Sequence, residues 1–128
     1  MQKQHKIFVY GTLMKGYGNN ALLKDAKFVG KGISLNKYCM LASGIPFVNP
    51  NEPVSNIKGE VYELNDEQLE RADRLEGHPN WYYRSPIKVM MENGDIITAE
   101  IYFNETDRSG LSVIKNGDYR SYRMERTW

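Results

Sequence analysis

The amino-acid sequence of 128 residues predicts an α+β domain with a small mixed β-barrel-like sheet, one main helix and short helices. Three observations lead to this fold class. Several short segments have strand character, glycines interrupt one of them where a barrel must bend, and a single segment has both the length and the ends of a stable helix. The length suits one core, so residues 1–128 are assigned to a single domain.

Alternating or continuous apolar residues predict strands at 7–10, 27–35, 38–41, 46–48, 57–64, 83–91 and 95–103. Gly30 and Gly32 fall inside the second of these segments and indicate a bulge or a sharp bend. Asn93-Gly94 lies between the last two segments, and this dipeptide is a strong hairpin signal. The strands are therefore expected to form a strongly bent sheet.

The main helix is predicted over residues 66–76. Asn65 is a good N-cap, Gln68 completes a variant of the capping box, and Gly77 is placed to end the helix. Residues 111–128 are amphipathic in parts and give no clear prediction.

Bulk composition restricts the classes of function. The net charge of +1 argues against a general nucleic-acid binder. No apolar run approaches the ~20 residues that cross a bilayer, and the polar residues 1–6 do not resemble a signal peptide. Because Cys39 is the single cysteine, a reducing cytoplasm is the expected location. We expect no membrane partner.

The first strand runs directly into the loop Gly11-Thr12-Leu13. Gly11 allows close approach to the main chain, and N–H groups freed from the sheet make this loop a candidate anion or oxyanion cradle. The simpler alternative is a tight connection after a strand. A nucleoside-triphosphate site is excluded, because Tyr17-Gly18 stands where the phosphate loop requires Lys and Ser/Thr. Further on, Asn19 or Asn20 is placed to cap a short helix over 21–24.

Glu76 is the strongest candidate for chemistry. Leu69, Ala72 and Glu76 are spaced by three and four residues, so the carboxylate shares the apolar face of the helix. It also lies in the last turn, at the negative end of the dipole. Both features raise a carboxyl pKa towards the range of a general acid/base. The alternatives are a solvated glutamate on a frayed turn and a glutamate paired with a nearby arginine.

Other candidates are weaker. Cys39 lacks a nearby base, since His5 and His78 are distant in sequence, and a buried structural cysteine is expected. The two histidines lack the spacing of metal ligands, which argues against a metal site, and we expect His78 to be in a loop. The tail segment 119–123 is rich in Arg and Tyr, and we interpret it as a packed, partly exposed tail rather than a base-stacking surface.

The sequence contains two groups of residues that belong together: Phe8-Val9-Tyr10-Gly11-Thr12-Leu13 with Gly16 and Asn19, and Leu75-Glu76-Gly77 with Tyr82 and Arg84. In this order and separation they resemble the γ-glutamylcyclotransferase-like family, in particular its small bacterial-type and γ-glutamylamine cyclotransferase-like members. Two other segments also fit the family's pattern, namely Gly59-Glu60-Val61-Tyr62 and Asn116-Gly117-Asp118-Tyr119. The resemblance covers nearly the whole chain.

The resemblance implies a barrel-like fold with a cavity over the loop, and an enzyme that converts a γ-glutamyl compound into 5-oxoproline and a free amine or amino acid. Glu76 would be the general acid/base, and the main chain of Tyr10, Gly11, Thr12 and Leu13 would hold the glutamyl portion. No metal or cofactor is implied. The substrate is a small γ-glutamyl molecule, and the protein is expected to be a monomer or a weak homo-oligomer.

Some roles stay open at this point. Tyr82 and Arg84 serve the site or anchor the strand after the helix, and anchoring is favoured; contact of Tyr119 with substrate is undecided. The alternative function is a non-catalytic small-molecule binding domain of the same fold. The absence of obvious insertions favours a small or exposed amine leaving group.

Overall fold

The computed structural model describes residues 4–105 and 110–126, with side chains described as far as residue 124. Its strands are β1 (His5–Val9), β2 (Lys27–Ser43), β3 (Ile45–Asn49), β4 (Ser55–Leu64), β5 (Tyr83–Met91), β6 (Ile96–Phe103) and β7 (Ser112–Val113). A 3₁₀ helix (Gly18–Leu23) and two α-helices, α1 (Asp66–Glu76) and α2 (Tyr119–Arg126), complete the chain. These elements confirm the predicted α+β class.

Five strands close into a barrel. Around the ring, β1 pairs with β4, β4 with β2, β2 with β5, β5 with β6, and β6 with β1. The β1–β6 pair is parallel and the other pairs of the ring are antiparallel. Gly32 lies opposite Met91 where β2 and β5 close the barrel. Because a closed sheet has no edges, the ring of hydrogen bonds is complete at these strands.

Strand β2 is longer than the sequence predicts. Two strands were expected at 27–35 and 38–41, whereas one strand of 17 residues runs from Lys27 to Ser43. Irregularities between Phe28 and Gly30 and between Ile33 and Lys37 bend it, and the first of them confirms the predicted bulge. The C-terminal half of β2 leaves the barrel and pairs with β3 and β7. The exposed residues around the second irregularity concealed this continuity in the sequence.

Helix α1 has the predicted ends. The Asn65 side chain accepts from the Gln68 N–H while the Gln68 side chain accepts from the Asn65 N–H, which forms a complete capping box. Gly77 ends the helix in the left-handed conformation with φ 68°. Leu69 and Ala72 are buried against the barrel, as their spacing predicts. The local sequence therefore fixes where the last turn of α1 lies.

The C-terminal segment packs on the outside of the barrel. Tyr119 of α2 is fully buried and its hydroxyl donates to the Gly44 carbonyl at 2.5 Å. Arg120 forms an ion pair of 3.0 Å with Glu60, whose side chain is 3% exposed. Within residues 4–105 and 110–126, no helix combines the length and apolar character that spanning a membrane requires.

Candidate active site

The loop after β1 forms the floor of a cavity of about 170 Å³. The loop forms a turn in which the Met14 N–H donates to the Gly11 carbonyl at 3.0 Å. Among the described residues, the N–H groups of Gly11, Thr12 and Leu13 have no hydrogen-bond partner. These residues line the cavity together with Tyr10. A short run of unpaired N–H donors is suited to binding a carboxylate or a carbonyl oxygen.

Two asparagines of the 3₁₀ helix hold the loop in place. Asn19 Nδ2 donates to Thr12 Oγ1 at 2.8 Å, and Asn20 Nδ2 donates to the Leu13 carbonyl at 2.7 Å. The expectation that one of them caps a short helix at 21–24 is wrong, because the 3₁₀ helix begins at Gly18 and no side chain caps it. Their amides donate hydrogen bonds to the loop instead and tie Thr12 and Leu13 to the 3₁₀ helix.

Glu76 lines the same cavity as the loop. Its carboxylate has no hydrogen-bond or ion-pair partner among the described residues. Burial in these surroundings raises the pKa of Glu76 to about 7, the direction that its position on α1 predicts. The alternative of a pairing arginine is wrong: Arg74 contacts Glu70, and Arg84 contacts other carboxylates. The result is an unpaired carboxyl group that titrates near neutral pH.

Three tyrosines form much of the wall around Glu76. Tyr10, Tyr82 and Tyr102 line the cavity, and burial, with an added contribution from the charge of Glu76, raises the pKa of each hydroxyl. All three are therefore neutral at ordinary pH. The Tyr10 hydroxyl donates to the Tyr102 carbonyl at 2.6 Å, and that of Tyr82 donates to the Pro46 carbonyl at 2.8 Å. These hydroxyls hold the wall together and do not compete for the Glu76 carboxylate.

A network behind the wall positions the end of α1. Asp73 accepts a hydrogen bond from the Tyr102 hydroxyl at 2.7 Å and two from the guanidinium of Arg84. Arg84 also contacts Glu100 of β6 at 2.6 Å. Arg84 does not line the cavity, so the structure favours the anchoring interpretation for it, while Tyr82 does line the cavity. Tyr119 lies outside the lining as well.

The weaker candidates lie away from the cavity. Cys39 is buried in the core, with 1% of its surface exposed. His78 accepts a hydrogen bond from the Arg84 N–H at 3.2 Å and lies in the turn after α1, as predicted. Across the described part of the chain, no three metal-ligating side chains come together. The tail is packed through Tyr119 and exposed at Arg123, which matches the interpretation of a packed, partly exposed tail.

The fold and the cavity define a class: a closed barrel that brings one half-buried carboxyl group to a loop of free N–H donors, an arrangement suited to an enzyme that acts on a small molecule. Residues 7–121 match the model of the family described as gamma-glutamyl cyclotransferase, AIG2-like. The chain belongs to this family of enzymes, and its function is of the γ-glutamylcyclotransferase type.

Individual relatives agree with this membership. A protein of Methanocaldococcus jannaschii, provisionally named gamma-glutamylcyclotransferase, is 43% identical over 118 residues, which cover 91% of this chain and 97% of the relative. The gamma-glutamylaminecyclotransferase of Rattus norvegicus is 32% identical over 116 residues, covering 78% of each. The solved structure of an AIG2-like protein from Mus musculus has a TM-score of 0.77 and 26% identity, covering 90% of this chain and 88% of that one.

Sequence reasoning missed part of the cavity wall. Pro46, Trp81 and Tyr102 line the cavity although no pattern singles them out. The nine tyrosines of the chain are a usable signal, because tyrosine side chains give a cavity or a surface both apolar area and hydroxyl groups. Trp81 gave no such signal, because a tryptophan in a loop has no periodicity to interpret.

Proposed function

We propose that this protein converts a γ-glutamyl compound into 5-oxoproline and a free amine, with Glu76 as general acid/base. The proposal depends on one observation: the half-buried Glu76 carboxyl group, which has no partner among the described residues, shares a cavity with the free N–H groups of Gly11, Thr12 and Leu13. The N–H donors hold the oxygens of the glutamyl portion, together with the main chain of Tyr10.

The nucleophile belongs to the substrate, so the enzyme need not supply one. Glu76 takes a proton from the α-ammonium group, and the resulting amine attacks the γ-carbonyl carbon to form a new C–N bond. Glu76 gives this first proton to the departing nitrogen as the original amide C–N bond breaks, and its carboxylate then takes the second proton from the attacking nitrogen and passes it to the released amine. The two protons that the ammonium group loses end on the released amine, which leaves protonated. A carboxyl pKa of about 7 suits both transfers near neutral pH.

Two features support this assignment over other acyl-transfer chemistry. Cys39 is buried away from the cavity, so no thiol nucleophile is available in the lining. The residues that surround Glu76 hydrogen-bond to one another and leave its carboxylate free to contact the substrate. A cyclisation requires a folded substrate, a group that transfers protons and oriented hydrogen-bond donors. In this proposal Glu76 transfers the protons and the loop N–H groups are the donors.

The test measures 5-oxoproline and free amine released from a panel of γ-glutamyl amides and γ-glutamyl amino acids. We expect equal amounts of both products from at least one compound, and a fall in kcat of about 10²- to 10⁴-fold in the Glu76→Gln variant. The Glu70→Gln variant changes an exposed glutamate of the same helix and serves as the matched control. Undiminished turnover by Glu76→Gln refutes the proposed role.

Binding without turnover is the competing outcome. A non-catalytic binding domain would be stabilised against heat by a γ-glutamyl compound while releasing no product, and Glu76→Gln would keep that stabilisation. Measuring melting temperature and product release on the same samples separates the two functions.

A further inference from the structure

Large apolar side chains are exposed together at the mouth of the cavity. Ile45, Leu75 and Trp81 line it and are 40%, 38% and 53% exposed. They come from three different elements, namely the start of β3, the last turn of α1 and the turn before β5. Exposed apolar groups that gather at one opening indicate a contact surface for a ligand. We call this group the apolar rim.

Trp81 is held in place although it is exposed. Its indole ring packs edge-to-face against Tyr82 and Phe47, with ring centroids 5.0 Å and 6.2 Å away. Its main-chain N–H donates to the Gly77 carbonyl at 2.9 Å, which ties it to the end of α1. A rigid aromatic surface binds a ligand at little cost in conformational entropy.

The charges of the cavity limit what the rim can bind. Among the described residues of the lining there is no lysine or arginine, and Glu76 is the single carboxylate. The guanidinium of Arg84 lies behind the wall, where Asp73 and Glu100 neutralise it. A carboxylate on the amine half of a substrate would find no cation here, and it would be placed near apolar surface and the charge of Glu76.

The volume of the cavity limits how much of the substrate it can enclose. The cavity of about 170 Å³ is of the order of a cavity that holds one benzene molecule, about 150 Å³. This volume includes the part lined by the apolar rim and has room for little more than the glutamyl portion held by Gly11, Thr12 and Leu13, so the amine half lies against the rim and extends out of the mouth.

We infer that the apolar rim of Ile45, Leu75 and Trp81 binds the amine half of the substrate and selects an uncharged, apolar amine, with Trp81 as the main specificity-determining residue. This inference rests on the proposed function. The preferred substrates are γ-glutamyl derivatives of alkyl or arylalkyl amines, and compounds whose amine half carries a carboxylate are disfavoured.

Two matched pairs of compounds test the rim. γ-Glutamyl-benzylamide against γ-glutamyl-methylamide isolates apolar contact, and γ-glutamyl-glycinamide against γ-glutamyl-glycine isolates the carboxylate. We expect kcat/KM to favour the first member of each pair by roughly tenfold. Trp81→Ala should reduce the benzyl preference to less than about threefold, and Leu75→Ala provides a second variant with a smaller change in the same direction. Ile96→Ala removes an equally exposed apolar residue outside the lining and should leave both ratios unchanged.

Measuring the Kd of the Glu76→Gln variant for the same four compounds tests the inference separately from the proposed function. If wild type releases 5-oxoproline but its kcat/KM for γ-glutamyl-glycine equals that for γ-glutamyl-glycinamide, the inference is wrong and the function stands. The same conclusion follows if Trp81→Ala keeps the full benzyl preference. If no compound is turned over while Kd follows the predicted order, the rim is correct and the proposed function is wrong. If the order of Kd is also absent, both are wrong.

Discussion

Asp73 and Arg84 form a two-point ion pair that joins the last turn of α1 to β5. Arg84 Nε lies 2.7 Å from Asp73 Oδ1, and its NH2 nitrogen lies 3.1 Å from Oδ2. Both side chains are 19% exposed. Asp73 precedes Glu76 by three residues on α1, so this pair fixes the helix end that carries the candidate acid/base.

Removing the Arg84 side chain should destabilise the protein. Arg84→Ala leaves Asp73 and Glu100 without their cation, and we expect a loss of about 2–3 kcal/mol in the free energy of unfolding, measured with urea. Arg84→Lys keeps the charge but cannot form both bonds to Asp73, so it should recover only part of the loss. Arg74→Ala is the control: its pair with Glu70 is 70% exposed on both sides and should contribute less than about 0.5 kcal/mol. Equal effects of Arg84→Ala and Arg74→Ala would contradict this prediction.

The free energy of unfolding should decrease as pH rises, because Glu76 loses its proton in the folded protein. Burial raises its pKa from 4.5 to about 7 in the folded protein, so the folded state holds the proton more tightly than the unfolded state. The resulting stabilisation is complete below about pH 4.5 and is lost as pH rises through about 7, a change of about 3 kcal/mol. Glu76→Gln abolishes this titration. We expect the variant to be more stable than wild type by up to about 3 kcal/mol at about pH 8, and equally stable near pH 4.5.

Urea unfolding at both pH values provides the measurement. Glu70→Gln, on the exposed face of the same helix, should follow wild type at each pH. A constant stability difference between wild type and Glu76→Gln across this range would show that Glu76 has an ordinary pKa. The gain in stability, combined with the expected loss of turnover, would mark Glu76 as a residue kept for activity at the expense of stability.

Gly11 should not tolerate a side chain. A Cβ atom at this position would lie 2.6 Å from Pro46 Cγ. Pro46 is held by its pairing with Ala42 and by the Tyr82 hydroxyl, so the loop must move instead. We expect Gly11→Ala to cost about 1–3 kcal/mol in stability and to lower kcat/KM at least about tenfold. Gly18→Ala, where nothing lies within 4 Å, should alter neither quantity appreciably, and a similar effect of the two variants would refute the steric argument.

The pair of Glu60 and Arg120 should be strongly coupled. Glu60 is buried, and Arg120 binds both its carboxylate, at 3.0 Å, and the Lys15 carbonyl, at 2.7 Å. Arg120→Met leaves a buried negative charge and should cost about 2–4 kcal/mol. Adding Glu60→Gln removes that charge, so the double variant should lose less than the sum of the single variants. Additive losses in urea unfolding would show that the two residues act independently.

Much of the fold follows from local signals. The capping box at Asn65 and the left-handed Gly77 set the ends of α1, and the bounds of β5 match the predicted 83–91. The spacing of Leu69, Ala72 and Glu76 predicts which face of α1 carries the carboxylate. These features depend on neighbours a few residues apart, which a sequence displays directly.

Other features depend on residues far apart in the chain. The continuity of β2 through residues 34–37 is fixed by Asn56 and by the Ile57 N–H, which bond to that segment from β4. Asn19 and Asn20 are suitable caps by their type, but the nearby loop offers them acceptors inside the folded structure. Local pattern cannot decide between two partners that both suit an amide group.

The sequence by itself determined the fold class and the main helix with its two ends, and the family resemblance led us to expect the loop at Gly11 and Glu76 in one site. Only the tertiary structure decided that Tyr10, Tyr82 and Tyr102 surround Glu76, that Arg84 neutralises Asp73 behind the wall, and that Trp81 lies at the cavity mouth. The physical reason is burial. The position of Glu76 on α1 predicts only the direction of its pKa shift. The pKa of about 7 and the absence of a partner for its carboxylate among the described residues arise from how distant strands enclose it.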